Sequence, residues 1–207
     1  MRIFSARSLD PDCSLEQLPA RELGSALARA FHSDPLQSYV LPDSHERSRL
    51  SASHFSVLAQ VGWFCGEVWA SDRDEGAAIW NLGADSKADE LLRTLPDVLG
   101  PEPFLRFARV LDYLSAEHLP HCGAEDWYLM VLGVTPENQG RGLGTSLLEP
   151  VLHRADQVGR VCALDTAEEK NLRFYSRLGF HVAHESVDPA SGLQFWTLRR
   201  QPSEEAL

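Results

Sequence analysis

The stretch Val134-Thr-Pro-Glu-Asn-Gln-Gly-Arg-Gly-Leu-Gly144 joins a strand pattern to a helix pattern. Before it, the continuous apolar run Trp127-Tyr-Leu-Met-Val-Leu-Gly-Val134 has the length of a buried strand. After it, apolar residues recur at helical spacing as far as Ala155. A glycine-rich turn in this position presents bare backbone N–H groups and the positive end of a helix dipole to an anion. The sequence therefore predicts a loop that holds a pyrophosphate.

Spacing separates this loop from other phosphate-binding loops. Gly142 is not followed by the Lys-Ser or Lys-Thr pair of a P-loop, so a nucleotide triphosphatase is disfavoured. The interval between the last two glycines is too short for the Gly-x-Gly-x-x-Gly pattern of a dinucleotide fold. The pattern Gln139-x-x-Gly142-x-Gly144, preceded by Val134-Thr-Pro136, instead resembles the acetyl-CoA signature of the GCN5-related N-acetyltransferase (GNAT) family.

The resemblance implies acetyl-CoA as cosubstrate and assigns residues that would contact it on both sides of the turn. These cofactor-binding residues are Leu132, Val134, Gln139, Gly140, Arg141, Gly142, Leu143, Gly144, Asn171 and Tyr175. The backbone N–H of Val134 is the implied donor to the thioester oxygen, exposed where two neighbouring strands splay apart.

A second signature lies further along the chain, in Asn171-Leu-Arg-Phe-Tyr175-Ser-Arg-Leu-Gly179-Phe180. It predicts a short helix that ends at Gly179, followed by a new strand. Asn171 and Tyr175 are four residues apart and share one helix face. In the resembled family the equivalent Asn contacts the pantetheine arm and the equivalent Tyr is the acid for the departing thiolate. Taken alone, Tyr175 could instead be a core aromatic.

Within the family, the sequence resembles the branch that includes puromycin N-acetyltransferase. Short matches such as Trp127-Tyr-Leu and Leu164-Asp-Thr166 carry this resemblance, which covers roughly residues 127 to 181. The sequence departs from that branch at Asp165, where the antibiotic enzyme has a Glu. The resemblance therefore transfers the fold and not the substrate.

Acyl transfer to an amine needs a base that removes the amine proton. Many members of the family carry a Glu on the strand equivalent to residues 127–134, and this strand contains no carboxylate. Asp165 is the first candidate for a catalytic base, because it ends a strand beside the predicted cleft. A helix-capping or surface role for Asp165 is equally open. Glu125, Asp126 and His121 are the next candidates.

The acceptor pocket is expected in the amino-terminal half, as in the resembled family. Phe31, Asp34 and Trp80 are the predicted substrate-binding residues, because aromatic rings and an acid suit a bulky cationic amine. His32, Tyr39, Trp63 and Trp69 are further candidates. The alternative for each tryptophan is packing in the core.

The element pattern predicts an α/β (α+β) fold, with a mixed, mostly antiparallel central sheet flanked by helices and a splayed strand pair at the acetyl-CoA site. We expect one domain over residues 1–207, divided into an acceptor-side half (1–126), an acetyl-CoA-binding half (127–200) and a loose tail (201–207). A first strand is expected at 2–8, and Ser14 with Gln17 forms a capping box before the first helix. Pro150 is expected to kink the helix after the glycine loop.

Composition favours an enzyme that binds neither nucleic acid nor anionic membranes, because the formal net charge is −11. The sequence has no apolar run long enough to span a bilayer, and four scattered cysteines indicate a reducing, cytoplasmic setting. His118, His121 and Cys122 are thin support for zinc, so we expect no metal. The expected assembly is a monomer or homodimer.

Three functions remain open at this point. The first is an N-acetyltransferase that modifies the primary amine of a small molecule. The second is a protein acetyltransferase that acts on a lysine or a chain N-terminus and would need an open groove. The third is a non-catalytic acyl-CoA-binding module, in which Tyr175 would have no chemical role.

Overall fold

The computed structural model describes residues 1–4 and 15–203, which form a mixed sheet flanked by helices. The strands are β1 (Arg2–Phe4), β2 (Gly66–Ala70), β3 (Gly76–Asn81), β4 (Trp127–Val134), β5 (Cys162–Thr166), β6 (His181–Val187) and β7 (Gln194–Arg200). The helices are α1 (Ala20–Ala30), α2 (Pro35–Val40), α3 (Ser44–Cys65), α4 (Ser86–Leu92), α5 (Leu95–Leu99), α6 (Pro101–Glu117), α7 (Leu143–Val158) and α8 (Lys170–Ser176).

The strands lie in the order β1-β2-β3-β4-β5-β7-β6 within one sheet. Neighbouring strands are antiparallel except for β4 and β5, which are parallel. The β4–β5 ladder covers only Trp127 with Cys162 and Tyr128 with Ala163, although both strands continue beyond these pairs. The two strands therefore splay apart towards their carboxyl ends. The predicted mixed, mostly antiparallel sheet is confirmed.

Each face of the sheet is covered by a different set of helices. One buried cluster joins α1 and α3 to Ile79 and Val131, and another joins α7 to Trp80 and Leu164. In α7 the fully buried Leu147 illustrates the driving force, since burying such a side chain contributes about 1.5–3 kcal/mol. The central strands are therefore sandwiched between two apolar layers.

A bulge in β4 changes which side chains face each layer. Ile79 pairs with Val131 and Trp80 pairs with Leu129, so Met130 is an extra residue in β4. Leu129 packs in the α7 cluster, whereas Val131, two residues on, packs in the α1–α3 cluster. The bulge thereby turns the last part of β4 over.

Two helices follow α1 before the second strand. Segment 34–42 contains α2, which Asp34 caps by accepting a hydrogen bond from the Gln37 N–H at 2.9 Å. Helix α3 continues to Cys65, and its residues are buried as far as that end. Helix α7 includes Pro150 without interruption, and the kink expected there stays a prediction.

The expected strand over 2–8 is seen at Arg2–Phe4, and residues 5–8 lie outside the described residues. Ser14, the first residue of the predicted capping box, also lies outside the described residues. The same is true of residues 204–207 of the predicted tail. Within the part of the chain that the structure describes, no helix is long and apolar enough to cross a membrane.

Candidate functional site

The glycine loop turns the chain from β4 into α7. Gly140 and Gly142 have φ values of 72° and 81°, in the left-handed region that disfavours side chains. Helix α7 begins at Leu143, directly after Gly142. The Gln139 side chain braces the loop, because its Nε2 donates a hydrogen bond to the Val134 carbonyl at 2.9 Å.

A cleft of about 430 Å³ opens in front of this loop, and we call it the glycine-loop cleft. Its walls come from the end of α1, the end of β4, the loop, the start of α7 and helix α8. Of the predicted cofactor residues, Leu132, Val134, Gln139, Gly140, Gly142, Leu143, Gly144 and Asn171 line it. Arg141 and Tyr175 are not part of this lining. The loop thus presents its backbone and the amino end of α7 to one shared space.

Two glycines of the loop leave that space open. A Cβ added at Gly140 or Gly142 would meet nothing within 4 Å, so each faces free volume. A Cβ at Gly144 would instead lie 3.3 Å from the Phe174 ring, which shows how closely α8 approaches the start of α7. The loop therefore has room for an anion directly against its main chain.

The Val134 backbone is directed into the gap between β4 and β5. The Thr135 N–H donates to the Glu75 carbonyl at 2.8 Å and so faces the β3 side. Successive residues of a strand direct their N–H groups to opposite sides, so the Val134 N–H points towards β5. Among the described residues, β5 pairs with β4 only at Trp127 and Tyr128. This direction agrees with the oxyanion-donor role expected for Val134, which stays a prediction.

The three predicted acceptor residues are divided by the structure. Phe31 and Asp34 line the glycine-loop cleft. Trp80 is 0% exposed and packs in the α7 cluster, so the expectation that it contacts substrate is wrong. It fails because β3 is sandwiched between helices on both faces, and an aromatic there fills the core.

Asp34 is an unusual helix cap. Burial raises the pKa of its carboxyl from 3.8 to about 6, although the hydrogen bond from the Gln37 N–H opposes this shift. Glu168 across the cleft raises the pKa further, and Lys170 lowers it. Ionisation of Asp34 therefore lowers the stability of the folded protein.

Tyr175 lies behind the cleft wall. It is 6% exposed, and its ring packs edge-on against Phe174 at 5.0 Å and Phe180 at 5.7 Å between centroids. Phe174 itself lines the cleft. Burial raises the pKa of the Tyr175 hydroxyl well above its usual range, so the phenol stays protonated at any working pH.

Asp165 is the residue before the last in β5, and it projects onto the sheet face opposite α7. Its two oxygens accept hydrogen bonds of 2.6 Å, one from the Tyr128 hydroxyl and one from the Thr197 hydroxyl. Its side chain is 12% exposed. Desolvation and the neighbouring Asp165 charge raise the pKa of Tyr128 well above its ordinary value, so Tyr128 remains a donor. Two donors thus fix the orientation of the carboxylate.

Behind Thr197 a buried chain of hydrogen bonds continues, which the sequence did not reveal. The His118 Nδ1 lies 2.6 Å from the Thr197 hydroxyl and its Nε2 lies 2.8 Å from the Ser186 hydroxyl. Since Thr197 gives its single hydrogen to Asp165, the His118 Nδ1–H must donate to Thr197. In a neutral imidazole the Nε2 then accepts from Ser186, whose oxygen in turn accepts from Tyr113. Every donor in the chain is directed towards Asp165.

Asp165 and Tyr128 also line a second cavity of about 680 Å³, which we call the acidic cavity. Its lining includes four carboxylates, those of Asp89, Glu125, Asp126 and Asp165, and the guanidinium of Arg160. Glu125 pairs with Arg160, and Asp126 pairs with Arg199 at 2.8 Å. These two alternative base candidates are therefore engaged in ion pairs.

His121, the last alternative, stacks on the His184 ring with centroids 4.0 Å apart. Among residues 1–4 and 15–203, no group of three or more His, Cys, Asp or Glu side chains is arranged to hold a metal ion.

Comparison with known proteins agrees with this geometry. Residues 107–182 match the family model described as the acetyltransferase (GNAT) domain. Residues 107–182 are therefore similar to a GNAT acetyltransferase domain. The match spans the carboxyl end of α6, β4, the glycine loop, α7, β5 and α8. It includes both signatures on which the resemblance rested, and it makes the enzyme class acyltransferase.

Two curated relatives carry acetyltransferase names. The chain is 24% identical over 173 residues to an uncharacterised N-acetyltransferase of Schizosaccharomyces pombe, covering 77% of this chain and 70% of that protein. It is 30% identical over 80 residues to the tRNA(Met) cytidine acetyltransferase TmcA of Saccharolobus islandicus, covering 39% of this chain and only 10% of that protein.

Solved structures of acetyltransferases share the GNAT fold. A structure described as histone acetyltransferase HPA2 and related acetyltransferase, from Corynebacterium glutamicum, has a TM-score of 0.64 at 19% identity and covers 90% of this chain and 93% of its own. Arylalkylamine N-acetyltransferase 2 of Aedes aegypti has a TM-score of 0.57 at 16% identity and covers 89% and 94%. The resemblance to the puromycin N-acetyltransferase branch stays a prediction.

Proposed function

We propose that this protein is an acetyl-CoA-dependent N-acetyltransferase that modifies the primary amine of a small molecule by direct transfer. The observation that carries the proposal is the meeting of three features in the glycine-loop cleft. These are the left-handed glycines at 140 and 142, the amino end of α7, and the gap where β4 leaves β5.

The residues of the cleft suit acetyl-CoA. The backbone N–H groups at the start of α7 are free of intrahelical partners and would bind the pyrophosphate, aided by the helix dipole. The edge of β4 at Leu132 and Val134 would pair with the amides of the pantetheine arm. The Asn171 amide, which already donates to the Thr166 hydroxyl at 3.1 Å, keeps its oxygen for the same arm.

The reaction follows from the groups around the gap. Asp165 first takes one proton from the ammonium of the bound substrate. The lone pair of the resulting neutral amine attacks the thioester carbon, and the Val134 N–H stabilises the negative charge that develops on the carbonyl oxygen. The carbon–sulfur bond then breaks, and Tyr175 gives the leaving sulfur a proton. The second proton that nitrogen loses restores the Tyr175 hydroxyl through solvent, and the proton on Asp165 passes to solvent. The products are the acetamide and free CoA.

A matched pair of glycine variants tests the cofactor site. Gly142→Glu fills the anion site with a bulky like charge, so we expect calorimetry to detect no binding of acetyl-CoA. Gly192→Glu is the control, because Gly192 also has a positive φ (71°) and open space around it but lies in the β6–β7 turn. The control should bind acetyl-CoA like the wild type. Equal affinity in a folded Gly142→Glu protein would overturn the site.

A further inference from the structure

We infer that the acceptor amine enters through the acidic cavity, and that the substrate is a compact primary amine with a cationic head and an apolar body. This inference rests on the proposed function. It assigns a binding site on the sheet face opposite α7, with Asp165 at its inner end.

Strand alternation places the reactive end of this cavity. Leu129 and Leu164 pack in the α7 cluster, so Tyr128 and Asp165, their neighbours along each strand, project to the other face. The hydrogen bond between these two side chains bridges β4 and β5 where their ladder has just ended. Asp165 therefore stands at the entrance from the acidic cavity to the gap between the strands.

The acetyl donor and the amine acceptor would occupy separate cavities. Among the described residues, the acidic cavity and the glycine-loop cleft share no lining residue. The cleft opens at the carboxyl end of β4, whereas the acidic cavity lies beside the start of that strand, against α4 and α6. Direct transfer requires both substrates to be bound at once, and this arrangement allows it, with the gap as the point of contact.

The charge of the cavity selects a cation. The guanidinium of Arg160 is engaged by Glu125, so it does not compensate Asp165. Asp165 receives hydrogen bonds from two hydroxyl groups, which carry no charge and so do not compensate that of the carboxylate. An ammonium group that reaches this mostly buried carboxylate would gain a charge-assisted hydrogen bond.

The remaining wall selects an apolar body. Leu82, Leu111, Leu114 and Leu119 line the cavity, and Leu111 and Leu119 are 43% and 60% exposed. Large exposed apolar side chains around a concave surface are typical of a ligand site. The volume of about 680 Å³ is that of a small-molecule site. A cation of modest size with a hydrocarbon portion fits both the charge and the wall.

The experiment compares two amines of equal chain length in a steady-state assay that detects free CoA. Hexylamine and 6-aminohexanoate differ only in the distal group, which is a methyl in one and a carboxylate in the other. The acidic, apolar wall should reject the carboxylate, so kcat/KM for hexylamine should be at least about tenfold higher. Equal values, or preference for a lysine-containing peptide over hexylamine, would overturn the assignment.

A pair of arginine variants tests the location. Leu111→Arg places a cation on the exposed wall and should raise KM for hexylamine by about tenfold. Val187→Arg is the control, because Val187 is 54% exposed at the end of β6 and lines neither the acidic cavity nor the glycine-loop cleft. Ser115→Arg, on the same cavity wall, repeats the test if Leu111→Arg does not fold.

Different results would contradict the acidic cavity as the amine site and the proposed function as a whole. Acetyl-CoA binding measured by calorimetry should be unchanged in all three arginine variants. An unchanged amine KM in Leu111→Arg and Ser115→Arg, with normal turnover, would contradict the acidic cavity as the amine site and leave the proposed function standing. A wild-type protein that does not bind acetyl-CoA would contradict the proposed function.

Discussion

Tyr175 combines burial with a position one ring behind the cleft wall. Its raised pKa keeps the hydroxyl protonated, which suits an acid that must hold its proton until sulfur departs. Tyr175→Phe removes only the hydroxyl and keeps the ring that packs against Phe174 and Phe180. We expect folding to be unaffected and single-turnover chemistry to slow by about 100- to 10,000-fold. Chemistry at the wild-type rate would show that sulfur takes its proton elsewhere.

The carboxyl group of Asp34 should make the stability of the protein depend on pH. Its folded-state pKa of about 6 exceeds the ordinary value of 3.8, so the native state binds this proton more tightly than the unfolded chain does. Stability should therefore fall as pH rises from about 4 to about 6, by about 3 kcal/mol at most. Asn caps a helix as well as Asp and carries no charge.

The variant Asp34→Asn should accordingly raise the free energy of unfolding at pH 7 and leave it unchanged at pH 4. Urea unfolding at the two pH values measures both quantities. Lower stability of Asp34→Asn at pH 7 would mean that the attraction between Asp34 and Lys170 outweighs the cost of burial. A carboxylate retained at such a cost beside the cleft suggests a functional reason for it.

Among the elements, β5 and β7 are tied together at the proposed base. The Thr197 hydroxyl donates to Asp165 and connects it to His118, which is 0% exposed. Together with Tyr128, this hydrogen bond fixes the orientation of the carboxylate. Removing the donor with Thr197→Val should therefore lower kcat for the amine. Asp165→Asn should lower turnover at neutral pH, with partial recovery at higher pH as more of the amine loses its proton unaided.

The two variants together separate chemistry from support. A structural role alone would lower stability in Thr197→Val and leave kcat of the folded fraction unchanged. If Asp165→Asn leaves the pH–rate profile unaltered, the proton leaves through Glu125, Asp126, His121 or water, and Asp165 only anchors the cation.

Some of the secondary-structure elements and their contacts could be predicted from the sequence, and others could not. The bounds of β4 follow from its continuous apolar run, and the signature residues reach one cleft because the loop, α7 and α8 are close in sequence. The bulge at Met130 leaves no mark in the pattern, since apolar residues stand on both faces there. The chain from Tyr113 through His118 and Ser186 to Thr197 was not predictable, because only tertiary packing of α6, β6 and β7 brings these residues together.

For the molecule as a whole, two cavities on opposite sides of one gap predict the kinetic mechanism of the proposed reaction. Both substrates must be present before chemistry, so initial-rate lines for the amine and acetyl-CoA should intersect, as in a ternary complex. In direct transfer the enzyme itself is never acetylated. Parallel lines, or a burst of CoA release without amine, would contradict direct transfer.

The net charge of −11 acts on the two substrates with opposite signs. An acidic protein attracts a cationic amine over a distance that salt shortens, from about 30 Å at 0.01 M to about 6 Å or less above 0.3 M. It repels the phosphates of acetyl-CoA over the same distance. Raising sodium chloride from low to high concentration should therefore lower kcat/KM for hexylamine and raise it for acetyl-CoA. The zwitterion 6-aminohexanoate should respond less than hexylamine, because its net charge is zero. A parallel decline for all three would indicate a general effect of salt on the fold, and the acidic surface would then have no part in guiding the amine.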